Sequence, residues 1–203
     1  MARVRAPRAG RIRSLEPSAV TIFIIVTGAI AVIGFTAVAT SPVSLLVGEG
    51  AFKLLAAFHG IAAFIFLLSA TITLYLGWRL LIGEIKAFED LKVLSVFNSF
   101  LAAVTVFFGN WIYIAFRSPG GPREYFLETN PAIHRIFFEF KEFMAIFTIP
   151  IAVVAAYLLW SQDKRILGDP RLRAIVAALL ALLWVYLVIS FGLGAAITKL
   201  RSV

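Results

Sequence analysis

The sequence predicts an all-α integral membrane protein, an up-down bundle of five transmembrane helices. Of its 203 residues, 61% are hydrophobic and the mean hydropathy is +0.95, whereas apolar residues make up about half of a typical soluble domain. Five apolar segments each reach the roughly 20 residues that a helix needs to cross a bilayer, and none shows the in–out alternation of a membrane strand. These segments lie near residues 19–40, 52–82, 93–116, 133–160 and 172–198.

The first segment follows a basic tail, residues 1–18, which is rich in arginine and is predicted to be cytoplasmic. A cleaved signal peptide is the alternative interpretation, because Ala37-Val38-Ala39 stands at a plausible cleavage position. The apolar stretch is, however, longer than the roughly 7–15 residues of a signal-peptide core. We therefore predict a retained helix, and a single five-helix membrane domain over residues 19–203.

Short connections join the segments, which favours antiparallel neighbours within one bundle. Three of them are predicted turns, at residues 41–51, 84–92 and 162–171. The third turn contains Pro170, which suits the start of a helix. The longest connection, residues 117–130, is predicted to be irregular because its prolines and glycines break helices.

The 19 Lys and Arg residues cluster at the ends of the apolar segments. With the N-terminus inside, most of them fall on the inner face, in the tail, within residues 79–92 and within residues 164–173. Because such a bias sets the orientation of membrane proteins, we predict a multi-pass protein of the cell membrane with a cytoplasmic N-terminus and an external C-terminus. The net charge of +8 accordingly indicates contact with the lipid bilayer and not nucleic-acid binding.

The composition excludes several kinds of site. Because the chain has no cysteine, disulfides, thiolate metal sites and covalently attached haem are ruled out. No glycine-rich phosphate loop and no zinc-protease motif is present. No catalytic residue is predicted, so the sequence leaves open whether the protein is an enzyme. The scarcity of Met and Gln hints at a thermophile.

Only two histidines occur, His59 and His134, and both fall near the external ends of apolar segments. A histidine within a membrane is costly and usually functional. Two of them at similar depth on different helices predict the axial ligands of one haem b, and so a metal-binding cytochrome b of electron transport. Helical rise leaves a difference in depth of about 12 Å between them, which shrinks if the second helix continues to Gly83 or if Pro150 tilts the fourth.

Small residues follow each histidine at helical spacing, which allows the close approach of another helix or of a flat ligand. The face of His59 contains Ala56, Ala62, Ala63, Phe66 and Ala70, and the face of His134 contains Phe138, Lys141, Ala145, Thr148, Ala152 and Ala155. Three cations, Lys141, Arg135 and Arg123, are predicted to neutralise the haem propionates, and Lys53 is a further candidate from an outer loop.

Structural interpretations stand beside these functional ones. His59 can instead hydrogen-bond a neighbouring helix, and His134 can be an interfacial side chain wetted by the outer connection. Glu139, Lys141 and Glu142 form either a proton or quinol site or a wet first turn with local ion pairs. Asn98 is predicted to be an interhelical hydrogen-bond partner.

Two short segments carry a family resemblance, FHGIA at residues 58–62 and IHR at residues 133–135. On separate helices near one membrane face, they resemble small b-type cytochromes of respiratory membranes, a group that includes cytochrome b561-like proteins and the five-helix haem anchors of membrane oxidoreductases. The resemblance implies electron transfer between a quinone and another membrane or external redox subunit. Most such proteins hold two haems with four histidines, whereas this chain has histidines for one bis-histidine haem at most.

Two other functions compete with electron transfer. The first is a cofactor-free subunit that anchors a larger membrane complex, which long helices rich in Ala and Gly would suit. The second is an ion or proton transporter that uses Glu139, Lys141 and Glu142. Transport would require a polar path, whereas the inner halves of the predicted helices are apolar.

Overall fold

The computed structural model describes residues 49–201, and within that range it contains helices and turns but no strand. A π-helical segment, Ile133–Phe138, leads directly into the fourth α-helix. The α-helices are α1 (Glu49–Leu81), α2 (Phe88–Phe116), α3 (Pro122–Thr129), α4 (Glu139–Ser161), α5 (Asp163–Gly168) and α6 (Pro170–Leu200). The predicted tail 1–18 and the predicted first helix 19–40 lie outside the described residues.

Four spans within the described range are long and apolar enough to cross a membrane, by length and composition. They are Phe52–Leu81, Phe88–Phe116, Ile133–Ser161 and Pro170–Leu200. Only 28% to 50% of the most apolar part of each span is buried, so large apolar side chains face outward, as a lipid environment favours. The all-helical class is therefore confirmed, and four of the five predicted spans have a helix long and apolar enough to cross a membrane.

The second of these spans begins at Phe88, whereas the sequence predicted a start near residue 93. Glu89 and Asp90 occupy its first turn. Acidic side chains are favoured there by the partial positive charge at a helix N-terminus. These charged residues therefore begin the helix and do not lie in a turn before it.

Two predicted connections contain helices. In residues 117–130, Pro122 occupies the first turn of α3, where proline is well tolerated. Phe126 of α3 is 0% exposed and packs against Phe116 and Phe138. Residues 162–171 likewise contain a short helix, α5, whose Ile166 is 0% exposed. The expectation of an irregular outer connection is wrong for residues 122–129, because burial of one aromatic side chain stabilises a short helix there.

The four long helices of the described range form a closed ring. α1 packs against α2 and α6, and α4 packs against the same two helices. Thus α1 and α4 face each other across the bundle. One end of the ring holds the α1–α2 turn and α5, and we call it the turn end. The other holds residues 117–132 with α3, and we call it the cavity end.

Packing is close in the middle of the bundle and towards the turn end. A Cβ on Gly77 of α1 would lie 2.8 Å from Leu180 Cδ1 of α6, so the Leu180 side chain would have to turn to accommodate it. Asn98 is fully buried and donates from Nδ2 to Thr73 Oγ1 at 2.8 Å, which confirms its predicted interhelical role. The large internal space of the bundle lies at the opposite end.

A buried lysine closes the turn end. The Lys92 ammonium forms ion pairs with Glu89 and Asp163, both at 3.3 Å, and lies 4.7 Å from the ring centre of Trp160. Trp160 Nε1 donates to the Lys92 carbonyl at 3.2 Å. Because these contacts join α2 to α4 and α5, the ring is tied together at the end remote from the cavity.

Candidate ligand-binding site

A cavity of about 440 Å³ lies inside the ring of long helices at the cavity end. Its size falls in the range of roughly 300–1,000 Å³ that is typical of small-molecule and cofactor sites. All four long helices and the start of α3 contribute to it. It extends from Thr148, in the middle of α4, to Arg201, just beyond the end of α6, and so reaches the end of the bundle.

Small side chains form much of the cavity wall. Ala56, Gly60 and Ala63 line it from α1, at the spacing of one helical face. Ala145 of α4 and Gly194 of α6 line it from the other side. Ala56 and Ala63 of the small-residue face predicted around His59 therefore border open space. A flat ligand would require such space.

His59 is positioned by a hydrogen bond to the neighbouring helix. Its Nδ1 lies 3.0 Å from the Thr105 carbonyl oxygen of α2. A carbonyl only accepts, so Nδ1 carries a proton, and in the neutral imidazole Nε2 keeps its lone pair. The interhelical hydrogen bond that was the structural interpretation of His59 is confirmed. It does not exclude the functional one, because the imidazole also lines the cavity.

Gly109 of α2 provides the space in which the imidazole lies. A Cβ at this position would be 3.1 Å from His59 Cε1 and 3.5 Å from His59 Nδ1. The first distance is closer than an ordinary van der Waals contact between carbon atoms. A Cβ at residue 109 would therefore require the imidazole to shift by a few tenths of an ångström, and a larger side chain would require a larger shift.

His134 does not line the cavity. It is 4% exposed, and its ring packs beside the stacked pair of Phe116 and Phe138, with ring-centre distances of 5.7 and 5.6 Å. Arg123 of α3 donates from Nε to His134 Nε2 at 3.3 Å, and the buried Nδ1 has no partner. The outer connection thus covers His134, and the expectation of a water-wetted interfacial histidine is wrong. Ligation by His59 and His134 together stays a prediction.

The π-helical segment explains why His134 leaves its predicted face. A π-helix closes i→i+5 hydrogen bonds, and here the Glu139 N–H bonds the His134 carbonyl. The wider turn offsets the residues before the segment from those after it, so His134 still contacts Phe138 but does not share the face of Lys141 and the residues that follow. Phe138, Lys141, Ala145 and Thr148 all line the cavity as one face, but the residue predicted to lead that face does not.

Of the three cations predicted to bind propionates, only Lys141 lines the cavity. Its ammonium lies 5.1 Å from the Phe138 ring centre, and no ion pair within residues 49–201 involves it. Arg135 is exposed outside the cavity, and Arg123 binds His134.

Two cations that the sequence analysis missed, Lys199 and Arg201, line the mouth of the cavity. Their position near the end of the last predicted helix, at the same end of the bundle as His59, is the signal that would have found them.

The acidic residues of α4 lie apart from the cavity. Glu139 is exposed, Glu142 is half-buried, and neither lines the cavity that Lys141 lines. Within the described residues, no group of three or more His, Asp or Glu side chains could hold a metal ion. A metal at this end would therefore need ligands of its own, as the iron of a haem has.

Protein-family models, curated proteins and solved structures contain no match to the chain. Any functional conclusion must therefore come from the cavity and its residues.

Proposed function

We propose that this is an electron-transfer protein of the cell membrane that holds one haem b in the cavity, with His59 as an axial ligand. The observation that carries the proposal is the placement of the imidazole: Nδ1 lies 3.0 Å from the Thr105 carbonyl oxygen, and the ring borders the cavity. In the neutral ring, Nε2 then keeps a lone pair for a metal. Histidines that bind metals generally donate their other ring N–H to such a carbonyl, which orients the ring and increases its basicity.

The side chains around His59 fit a flat macrocycle. Gly60 leaves open space beside the imidazole, since a Cβ there would meet no atom within 4 Å. The stacked rings of Phe116 and Phe138, 4.1 Å apart, border the cavity and limit the entry of water. Lys199 and Arg201 at its mouth would neutralise carboxylate groups at the edge of the ligand.

Bound haem b would supply one-electron redox chemistry, and the protein would supply binding, orientation and electrostatics. His59 would hold the group, Thr105 would fix the angle of the imidazole, and the apolar walls would exclude water. A quinone within the bilayer and a redox subunit at the cavity end are the proposed electron partners. With the Lys and Arg bias of the sequence, this end would face the outside.

A quinol site in the same cavity is the second candidate, and the lone pair on His59 Nε2 favours it. Oxidation of a quinol releases protons, and an imidazole with a free lone pair accepts a hydrogen bond or a proton from a quinol hydroxyl. In this case the purified protein would be colourless and would retain an extractable quinone.

Haem content tests the first candidate against the second. Full-length protein, produced in haem-replete cells and purified in mild detergent, is expected to give a pyridine haemochrome spectrum of haem b at about one per chain, as one axial histidine in one cavity requires. A colourless protein would contradict the proposal. Organic extraction of the same sample would then test for a quinone.

Labelling of introduced cysteines tests the proposed orientation. The chain has no cysteine, so each single variant carries one thiol on a blank background. We expect a membrane-impermeant maleimide to label Glu128→Cys at the cavity end in intact cells. Lys164→Cys at the turn end should react only after the membrane is opened, since both positions are exposed but lie on opposite faces. The reverse pattern would place the cavity mouth in the cytoplasm.

A further inference from the structure

We infer that the cavity gives a haem one protein ligand only, and that its other axial side is an exchangeable site for a small anion beside Lys141. The inference rests on the proposed haem function and deepens it. A haem with two protein ligands would be a closed electron carrier, whereas a haem with one protein ligand could also bind a ligand from solution.

The first step is the absence of a second histidine and of a methionine among the cavity side chains of the described range. His134 lies behind Phe116 and Phe138 and is engaged by Arg123. Met144 is buried but does not border the cavity. Tyr113 does border it, but its hydroxyl accepts a hydrogen bond from Arg117 at 2.7 Å. His59 is left as the one imidazole in the space.

The second step is the position of Lys141. It lines the cavity from α4, which faces α1 and His59 across the ring. The hydroxyls near it are committed as donors: Thr148 bonds the Ala145 carbonyl at 2.6 Å, and Ser190 bonds the Lys141 carbonyl at 3.5 Å. The Lys141 ammonium is therefore the donor that remains available to a ligand on the α4 side of the cavity.

The third step is the charge of that ligand. An ammonium in an apolar membrane cavity is costly unless an anion accompanies it. Glu142 interacts with Lys141 from outside the cavity, but no carboxylate of residues 49–201 forms an ion pair with it. Lys199 and Arg201 lie nearer the end of α6, where they are placed to take carboxylate groups of a haem. Lys141 packs beside Gly194, about 9 Å deeper along α6 than Leu200.

Access from the end of the bundle supports exchange. Pro122, Thr198 and Arg201 border the cavity where it reaches the connection and the end of α6. Cations along a narrow entrance raise the local concentration of anions. A small anion such as azide would thus reach Lys141 from the aqueous phase without crossing the bilayer.

Spectroscopy of the haem-loaded protein tests this inference. Ferric wild-type protein is expected to show a high-spin spectrum, and added azide should convert it in a saturable titration. Lys141→Met should weaken azide binding about tenfold, the effect of losing one charge-assisted contact. The matched control, Lys53→Met, removes an exposed lysine at the same end and should bind azide as the wild type does.

Each contrary outcome has a distinct meaning. A low-spin ferric spectrum without added ligand would show that the protein supplies both axial ligands, and would overturn the inference while leaving the haem function intact. Equal azide affinities in Lys141→Met and Lys53→Met would overturn the role of Lys141. A protein without haem would overturn both the inference and the function on which it rests.

Discussion

Replacement of His59 by alanine is expected to remove the haem, with at least a tenfold lower haem content per chain than in the wild type. The variant loses the one imidazole that borders the cavity, and neither the apolar walls nor the cations at the mouth replace it as an iron ligand. The fold should survive, because the lost hydrogen bond to Thr105 contributes only about 0.5–1.5 kcal/mol. Pyridine haemochrome absorbance divided by protein concentration measures the effect, and thermal unfolding in detergent verifies the fold.

His134→Ala is the matched control, since it removes the only other histidine of the chain. Its ring packs beside the stacked rings of Phe116 and Phe138, outside the cavity. The variant should therefore lose stability through the space it leaves but retain its haem. Equal loss of haem in the two variants would instead favour the bis-histidine pair. Full retention in His59→Ala would exclude His59 as a ligand.

Added imidazole provides a further check. In His59→Gly the side chain is removed beside a cavity that already borders the ring, so free imidazole is expected to enter the vacated space and restore haem binding. Restoration would identify coordination as the lost contribution. Failure of imidazole at saturating concentration, in a variant that is still folded, would point to a structural role of the ring.

Gly109→Val is expected to reduce haem affinity tenfold or more while the helices still form. Even the first atom of the new side chain would lie 3.1 Å from His59 Cε1, so the imidazole must turn away from the Thr105 carbonyl. Displacement of a ligand by about 1 Å is enough to disable a preorganised site, whereas overpacking costs the fold about 1–3 kcal/mol. Titration of the haem-free protein with haem, followed by absorbance, measures the affinity.

Gly192→Val separates the specific effect from a general effect of valine in a membrane helix. A Cβ at Gly192 would meet no atom within 4 Å, and this residue does not border the cavity. Its variant should bind haem with wild-type affinity. If Gly109→Val binds haem equally well and with an unchanged spectrum, His59 does not need the orientation that the structure gives it.

Much of the architecture could be predicted from the sequence. Runs of apolar residues specify helices in a bilayer, because every backbone polar group must be satisfied within its own segment, and four such helices were predicted within a few residues of their observed ends. The small-residue face around His59 was also predicted, because helical periodicity alone determines which residues share a side.

The parts that could not be predicted depend on contacts between distant residues. Phe126 forms α3 because it is buried against Phe116 and Phe138, and nothing in the local sequence indicates that burial. The hydrogen bond from His59 to Thr105 joins residues 46 positions apart. The close contact of Gly109 with the imidazole follows from how α1 and α2 pack, and many registers are compatible with the same pattern.

The sequence by itself thus determined the class of the protein, its membrane helices and the identity of the side chains that have the chemistry for a site, because hydropathy and residue type are local properties. Only the tertiary structure decided which of these side chains meet. It brought His59 and Lys141 to one cavity and left His134 outside. The physical reason is the π-helical segment Ile133–Phe138, which changes the rotation of the chain just before α4 and separates His134 from the face that periodicity assigned to it.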